Sequence, residues 1–187
     1  YIANCYIKLA FYDKAFSVYD NIEKHLLMSN RNDYVSLMNL YNNKALLYQY
    51  KGNYEKSIDY FEKSLLLYNT NNDKNLIFYS SLVLNLGYTY LLKGENFEKT
   101  ISLFKKGIAI QEKYNNKVLA NAYNAYALAL KKSGNYSEAE KYYKKAIENR
   151  LKYGYMMSEL SKDYHNYGEL LLAQKKYAKA HEYLNKA

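Results

Sequence analysis

Residues 83–107 read VLNLGYTYLLKGENFEKTISLFKKG, and this stretch decides the fold. Val83, Leu86, Gly87 and Tyr90 recur at spacings of three and four, which marks one face of a helix. KGENF at 93–97 interrupts that pattern, because Gly enters the left-handed conformation that ends a helix and Asn supports the turn. Phe97, Thr100 and Phe104 then resume helical spacing. The stretch is a helical hairpin.

The same pattern returns along the chain. YDKAFSVYDNI, YEKSIDYFEKS, FEKTISLFKKG, YSEAEKYYKKA and YAKAHEYLNKA begin at Tyr12, Tyr54, Phe97, Tyr136 and Tyr177, separated by 42, 43, 39 and 41 residues. Three residues on stands a small side chain, Ala15, Ser57, Thr100, Ala139 or Ala180, and seven on a large one, Tyr19, Phe61, Phe104, Tyr143 or Leu184. Upstream lies a second small residue, Ala3, Ala45, Gly87, Ala127 or Gly168. Small residues let two helix backbones approach while large ones fill the space around the crossing. One hairpin cannot cover its own apolar face, so the copies must stack. The expected fold is all-α: a right-handed superhelical solenoid of about five helix-turn-helix units, near 1–30, 33–72, 75–115, 116–153 and 155–187, in one array.

Composition agrees. Charged residues make up 24% of the 187 and hydrophobic ones 49%, the balance of a folded chain. The absence of Pro permits long helices and argues against a turn-rich sandwich. Twenty-six tyrosines and a net charge of +9 accompany heavy use of Lys, Asn and Ile, which codon bias explains without a dedicated nucleic-acid surface. Cys5, the single cysteine, cannot form an internal disulfide and reads as a small packed thiol, which fits a cytoplasmic setting, with a periplasmic sensor region as the alternative if a parent protein carries a signal or membrane segment. No apolar run reaches the roughly 18 residues of a membrane span.

These blocks resemble the tetratricopeptide repeat family, whose pattern runs Trp-x-x-Leu-Gly-x-x-Tyr, a turn, then alternating aromatic and small positions. Residues 83–107 match it with Val83 in place of the tryptophan and one extra turn residue. LYNNKALLYQYKGNYEKSIDYFEKS at 40–64 matches with Tyr41 at the Trp position and Lys44 at the Leu position. The family's 34-residue period ends in Pro; here the period is about 41 and Pro is absent. LLLYNTNNDKN at 65–75 should therefore lengthen adjoining helices. Such long units look like those of kinesin light chains and of bacterial peptide-sensing or sensor-kinase regulators. The resemblance implies a binding module of a larger protein, with the end repeats lacking polar caps and open to self-association.

Catalytic signatures in the sequence are thin. His25, His165 and His181 are too scattered for a metal cluster, and the glycines stand singly rather than in a phosphate loop. Glu138 and Glu140 beside Lys141 and Lys144 read as a solvated helix face. A non-enzyme without cofactor is expected. Tyr12, Tyr19, Tyr48, Tyr54, Tyr90, Tyr136, Tyr143 and Tyr177 are expected in the core rather than free to stack on bases. Lys131, Lys132, Lys141, Lys144, Lys145, Arg150 and Lys152 outnumber the acids between 131 and 152, leaving an acidic partner or RNA as competing readings.

Numbering each first helix so that its small residue is position 8 puts the packing positions at 4, 7, 8 and 11. Positions 2, 6, 9 and 13 fall on the opposite side. Position 6 is Asn43, Asn85 and Asn166 in three repeats; it is Ala125 in the fourth, with Asn121 and Asn124 nearby. Asn is a weak helix former, yet its amide both donates and accepts, so such a ladder can pair with an extended peptide backbone. Groove asparagines of this kind are also what the resemblance implies. Asn39, Asn42, Lys131, Lys162 and His165 would add selectivity, favouring acidic ligands. A protein or peptide segment is the expected partner; a structural spacer is the competing reading.

Overall fold

The computed structural model describes residues 2–29, 33–114, 119–153 and 157–187, and among them the regular structure is entirely helical. Two compact units divide the chain. The first, Tyr1–Lys93, holds α1 (Ile2–Lys8), α2 (Tyr12–Met28), α3 (Tyr34–Tyr50), α4 (Tyr54–Thr70) and α5 (Leu76–Lys93). The second, Gly94–Ala187, holds α6 (Phe97–Lys113), α7 (Ala120–Lys132), α8 (Tyr136–Tyr153), α9 (Met157–Ala173) and α10 (Tyr177–Leu184). The expected repeat boundaries near 30–33, 115–116 and 153–155 fall largely outside the described residues. Around 65–75 the extra length does extend α4, to Thr70, and a turn at Asn72 leads into α5.

Small residues sit where the hairpins close. Ala15, Ser57, Thr100, Ala139 and Ala180 are all completely buried, as are Ala45 and Ala127. At Gly168 a methyl group would lie 2.7 Å from Leu184 Cγ, so a larger residue there requires the Leu184 side chain to shift. Large side chains close the surrounding space: Phe61, Phe104, Tyr126, Tyr143 and Tyr167 are fully buried. In the first unit Ala15, Tyr19, Leu40 and Leu47 form a core against which Phe16 and Leu26 pack. The first helices of successive repeats touch within each unit, α3 on α5 and α7 on α9, and so form an inner layer.

The turns follow local chemistry. After α3 the chain takes a left-handed step at Gly52 (φ 73°), and Asn53 Oδ1 then accepts the Lys56 N–H at 3.1 Å to start α4. Gly134 (φ 83°) does the same between α7 and α8. Ala10 and Lys175 make the equivalent step without glycine. Where the turn is one residue longer, Gly94 and Asn96 are both left-handed and Asn96 caps α6. The α7 start is capped from another helix: Asn149 Oδ1 accepts the N–H groups of Leu119 and Ala120.

Three expectations about burial are corrected. Tyr136 and Tyr177 are exposed, because the aromatic opening each second helix lies in its first turn, at the rim of the hairpin. Tyr12, Tyr48, Tyr54 and Tyr90 are half-buried, while Tyr19 and Tyr143 are buried as expected. Cys5 is exposed, one position off the packed face of α1.

Candidate functional site

The inner layer of the first unit carries Asn39, Asn43, Leu46 and Tyr50 on α3 and Ser81, Asn85, Tyr88 and Leu92 on α5, at positions 2, 6, 9 and 13. These positions span about 60° of the helix circumference. Asn39 is exposed and donates to the Val35 carbonyl of its own helix at 2.9 Å. Asn42 Nδ2 lies 3.4 Å from Asn43 Oδ1. Asn43 and Asn85 are half-buried, and the Asn85 amide makes no hydrogen bond among the described residues. Gln49 Nε2 donates to Thr89 Oγ1 at 2.7 Å and ties α3 to α5.

Charge is what this layer lacks. Lys44 is the single charged residue of α3, and Lys93, at the last position, the single one of α5. Lys44 is only 2% exposed: its ammonium turns onto α2, where Glu23 and Asp20 (2.6 Å) receive it, and lies 5.2 Å from the Tyr60 ring. Burial pushes the Lys44 ammonium toward neutrality, but hydrogen bonds to Asp20 and Glu23 outweigh it and hold the pKa above the lysine range. Lys93 pairs with Glu55 at 3.3 Å. The exposed remainder is polar amide or apolar, with Tyr50 62%, Tyr88 43% and Leu92 40% exposed.

The inner layer of the second unit is built otherwise. Asp163 is 1% exposed on α9 and meets Arg150, 6% exposed on α8, at 2.5 Å. Burial is the larger effect and leaves the Asp163 carboxyl above its ordinary value, against the pull of Arg150 and Asn124. Arg150 Nη2 also donates to Asn121 Oδ1 at 2.8 Å. Asn124 Nδ2 donates to Asp163 Oδ1 at 2.6 Å, and Asn166 Nδ2 to Asn124 Oδ1 at 2.9 Å. Thus Asn121, Asn124 and Asn166 are brought into one network, with Asn124 rather than Ala125 as the partner of Asn166. Lys131 pairs with Glu169 at 2.8 Å and Lys162 with Glu159 at 2.7 Å; His165 lies 3.5 Å from Glu169. The cations expected to receive an acidic ligand already face carboxylates of their own.

Sequence reasoning missed Arg150 and Asp163 as partners, although a signal existed. Position 3 reads Leu40, Leu82, Ala122 and then Asp163; the fifteenth residue of the second helix reads Leu26, Tyr68, Gln111 and then Arg150. Both positions turn charged at the same inter-repeat junction. Part of the basic run on α8 is also neutralised: Lys144 binds Glu140, Lys145 binds Glu112, and Arg150 is buried on Asp163; Lys176, just before α10, binds Glu140 as well. Glu140 is therefore no solvated bystander; Tyr167 Oη donates to it as well, at 3.2 Å. Among the described residues no group of His, Cys, Asp or Glu could hold a metal, and no helix is long and apolar enough to cross a membrane.

Comparison with known proteins agrees with this architecture. No curated protein sequence matches the chain. Solved structures do, at low identity. BtubC (BKLC) from P. vanneervenii shares 18% identity at a TM-score of 0.85, covering 98% of this chain and 74% of its own. Kinesin light chain-like repeats from Podosopora anserina share 16% at 0.79, covering 99% and 89%. A STAND signal-transduction ATPase with a tetratricopeptide repeat sensor, from Pyrococcus horikoshii, shares 22% at 0.79, covering 97% of this chain but 28% of that one. The sequence model of the tetratricopeptide repeat matches residues 36–113 and 78–152, well over half the length. The chain belongs to the tetratricopeptide repeat family.

Proposed function

We propose that this chain is a non-catalytic scaffold that binds an extended protein or peptide segment along its inner layers, and that the α3/α5 face takes an uncharged stretch bearing apolar side chains. The observation that carries this reading is the lack of exposed charge across α3 and α5 in a chain with a net charge of +9. A wet helical layer without function has no reason to exclude Lys and Glu while exposing Tyr50, Tyr88 and Leu92. Asn43 and Asn85 offer donors and acceptors to backbone groups, and the apolar side chains beside them offer contact area. This narrows the acidic preference read from sequence, since Lys131 and Lys162 are already paired. A place as the interaction or sensor module of a larger regulatory protein accords with the sensor repeats of the STAND ATPase.

The test is selection from a displayed library of random peptides, followed by calorimetric titration of the selected peptides. Uncharged, apolar sequences should emerge, with affinity nearly constant between about 50 and about 200 mM salt; nucleic-acid binding would instead fall steeply over that range. Replacing Asn43 and Asn85 by Ala should cost about 1 kcal/mol per lost bond, or about thirtyfold in affinity together. Self-association through the same face would appear as a concentration-dependent mass that the peptide abolishes. Recovery of no peptide, or of acidic ones with steep salt dependence, overturns the reading.

A further inference from the structure

We infer that the buried Arg150–Asp163 pair is a positioning device that fixes the hydrogen-bonding polarity of the α7/α9 face, so that this half of the array reads an extended peptide backbone in one direction. The inference rests on the peptide-binding reading above and adds to it a rule of orientation.

A guanidinium only donates hydrogen bonds and an ionised carboxylate only accepts them. An asparagine amide can turn either way, and nothing intrinsic tells its oxygen from its NH2. Beside a buried ion that freedom is lost. Asp163 Oδ1 has no proton to give, so Asn124 must turn its NH2 toward it, at 2.6 Å. The Asn124 oxygen then faces α9, where Asn166 must donate, at 2.9 Å. On the other side Arg150 Nη2 has no lone pair to offer, so Asn121 must present its oxygen, at 2.8 Å. Two charges buried to 1% and 6% exposure thus set three amides.

The free ends follow. Asn121 keeps its NH2 for a ligand, because its oxygen is engaged; Asn166 keeps its carbonyl oxygen and one N–H. An extended backbone presents C=O and N–H groups in an order set by its direction. A face with a donor-only amide on α7 and an amide on α9 whose oxygen and remaining N–H are held in one orientation distinguishes the two directions. The Asn85 amide in the first unit is bonded to no ion among the described residues and can serve a strand of either sense.

Stability does not explain the pair. The same two positions hold Leu26 with Leu40 and Tyr68 with Leu82 in earlier repeats, and a buried ion pair generally stabilises no more than apolar residues of similar volume. What an apolar pair cannot do is orient an amide.

The test grafts one of those pairs, Arg150→Tyr with Asp163→Leu, into the full chain, with Asp163→Asn as a second variant. The probe is the neutral hexapeptide acetyl-Ser-Ala-Ser-Ala-Ser-Ala-amide, spin-labelled at one terminus or the other. In the nitrogen-15 spectrum of the unliganded protein, the Asn121, Asn124 and Asn166 side-chain amides should show slowed hydrogen exchange. In the grafted variant they should exchange like surface amides while the helix content is retained. With the probe, the two labels should broaden opposite ends of the α7/α9 face in the wild type and both ends alike in either variant. Alike broadening in the wild type, or asymmetry that survives the graft, overturns the inference and leaves peptide binding standing. Fast-exchanging Asn124 and Asn166 amides in the wild type overturn it directly. Absence of broadening on α3/α5 and α7/α9 alike removes peptide binding and the rule together.

Discussion

Lys44 gives the most discriminating test of the energetics. It stands at position 7, where the other repeats hold Leu86, Tyr126 and Tyr167, and its ammonium is buried to 2% exposure against Asp20 and Glu23. Removing the cation and removing its anions are not equivalent. In Lys44→Met the stem is replaced by an apolar chain of similar length, and Asp20, already 64% exposed, relaxes into water with Glu23. The expected change is within about 1 kcal/mol of wild type. In Asp20→Asn with Glu23→Gln the ammonium stays buried with only neutral acceptors, at a cost of about 3–5 kcal/mol.

The pH dependence separates these outcomes further. In the wild type the folded pKa lies above the unfolded value, so the stabilisation is present below about pH 10.5 and lost as the pH climbs through the folded value. In the double variant desolvation is left unopposed and the folded pKa drops below the unfolded one. Its deficit should therefore shrink between about pH 7 and about pH 10, by up to roughly 1.4 kcal/mol per pH unit where the two states differ by a full proton. Urea unfolding followed by far-ultraviolet circular dichroism gives both quantities, and Tyr41→Phe in both backgrounds removes the tyrosine that is hydrogen-bonded to Glu23 from the comparison. A Lys44→Met variant as unstable as the double variant, or a deficit flat across that range, would show that the buried cation does not behave as a charge held by its two anions.

Other expectations use the same assay. Ala139→Leu overpacks a completely buried crossing and should cost about 1–3 kcal/mol; an unchanged melting temperature would break the repeat alignment. Tyr143→Phe should stabilise by about 1 kcal/mol, because the buried Tyr143 hydroxyl has no hydrogen-bond partner among the described residues and Phe61 and Phe104 fill the same position elsewhere. Hydrogen bonds from Lys176, Lys144 and Tyr167 hold the Glu140 carboxyl down at about 2. A carboxyl depressed on folding stabilises above the unfolded value, so the deficit of Glu140→Gln, about 1–2 kcal/mol after screening around the half-exposed lysines, should be complete at neutral pH. It should vanish as the pH falls from about 4.5 toward 2.

What could be read from sequence was whatever a single repeat determines. The five small residues of the second helices are completely buried because each meets its partner within one hairpin, at a fixed distance along the chain. Tyr136 and Tyr177 were misread because the aromatic opening a second helix has burial that depends on what lies over the rim. Tyr126 and Tyr167, at position 7, are buried instead. The asparagines were found by position, but whether an amide is open, as in Asn85, or engaged, as in Asn124, depends on groups from the neighbouring repeat. Arg150 and Asp163 lie on successive repeats, so only the register between repeats brings them together.

That register is where the polar interactions gather. Within hairpins the crossing positions are small, and the polar contacts are few, such as Ser64 to the Met38 carbonyl, Asn149 at the α7 start and Arg150 to Asn121. Between repeats they are directional: Asp13 with Lys51, Asp20 and Glu23 with Lys44, Glu112 with Lys145 and Tyr123, Glu140 with Lys176 and Tyr167, Asp163 with Arg150. Each joins one repeat to the next. In a repeat array stability is a sum of terms within repeats and terms between neighbours, and a purely apolar junction could slide by a helical turn at small cost. A buried ammonium or guanidinium with one set of acceptors cannot slide, since any shift strands a charge in the interior. The spacing of successive inner helices is held by the same side chains that hold the repeats in step. A layer that binds an extended chain needs that spacing fixed, because a strand repeats at about 3.3 Å per residue and tolerates no slip between its contacts.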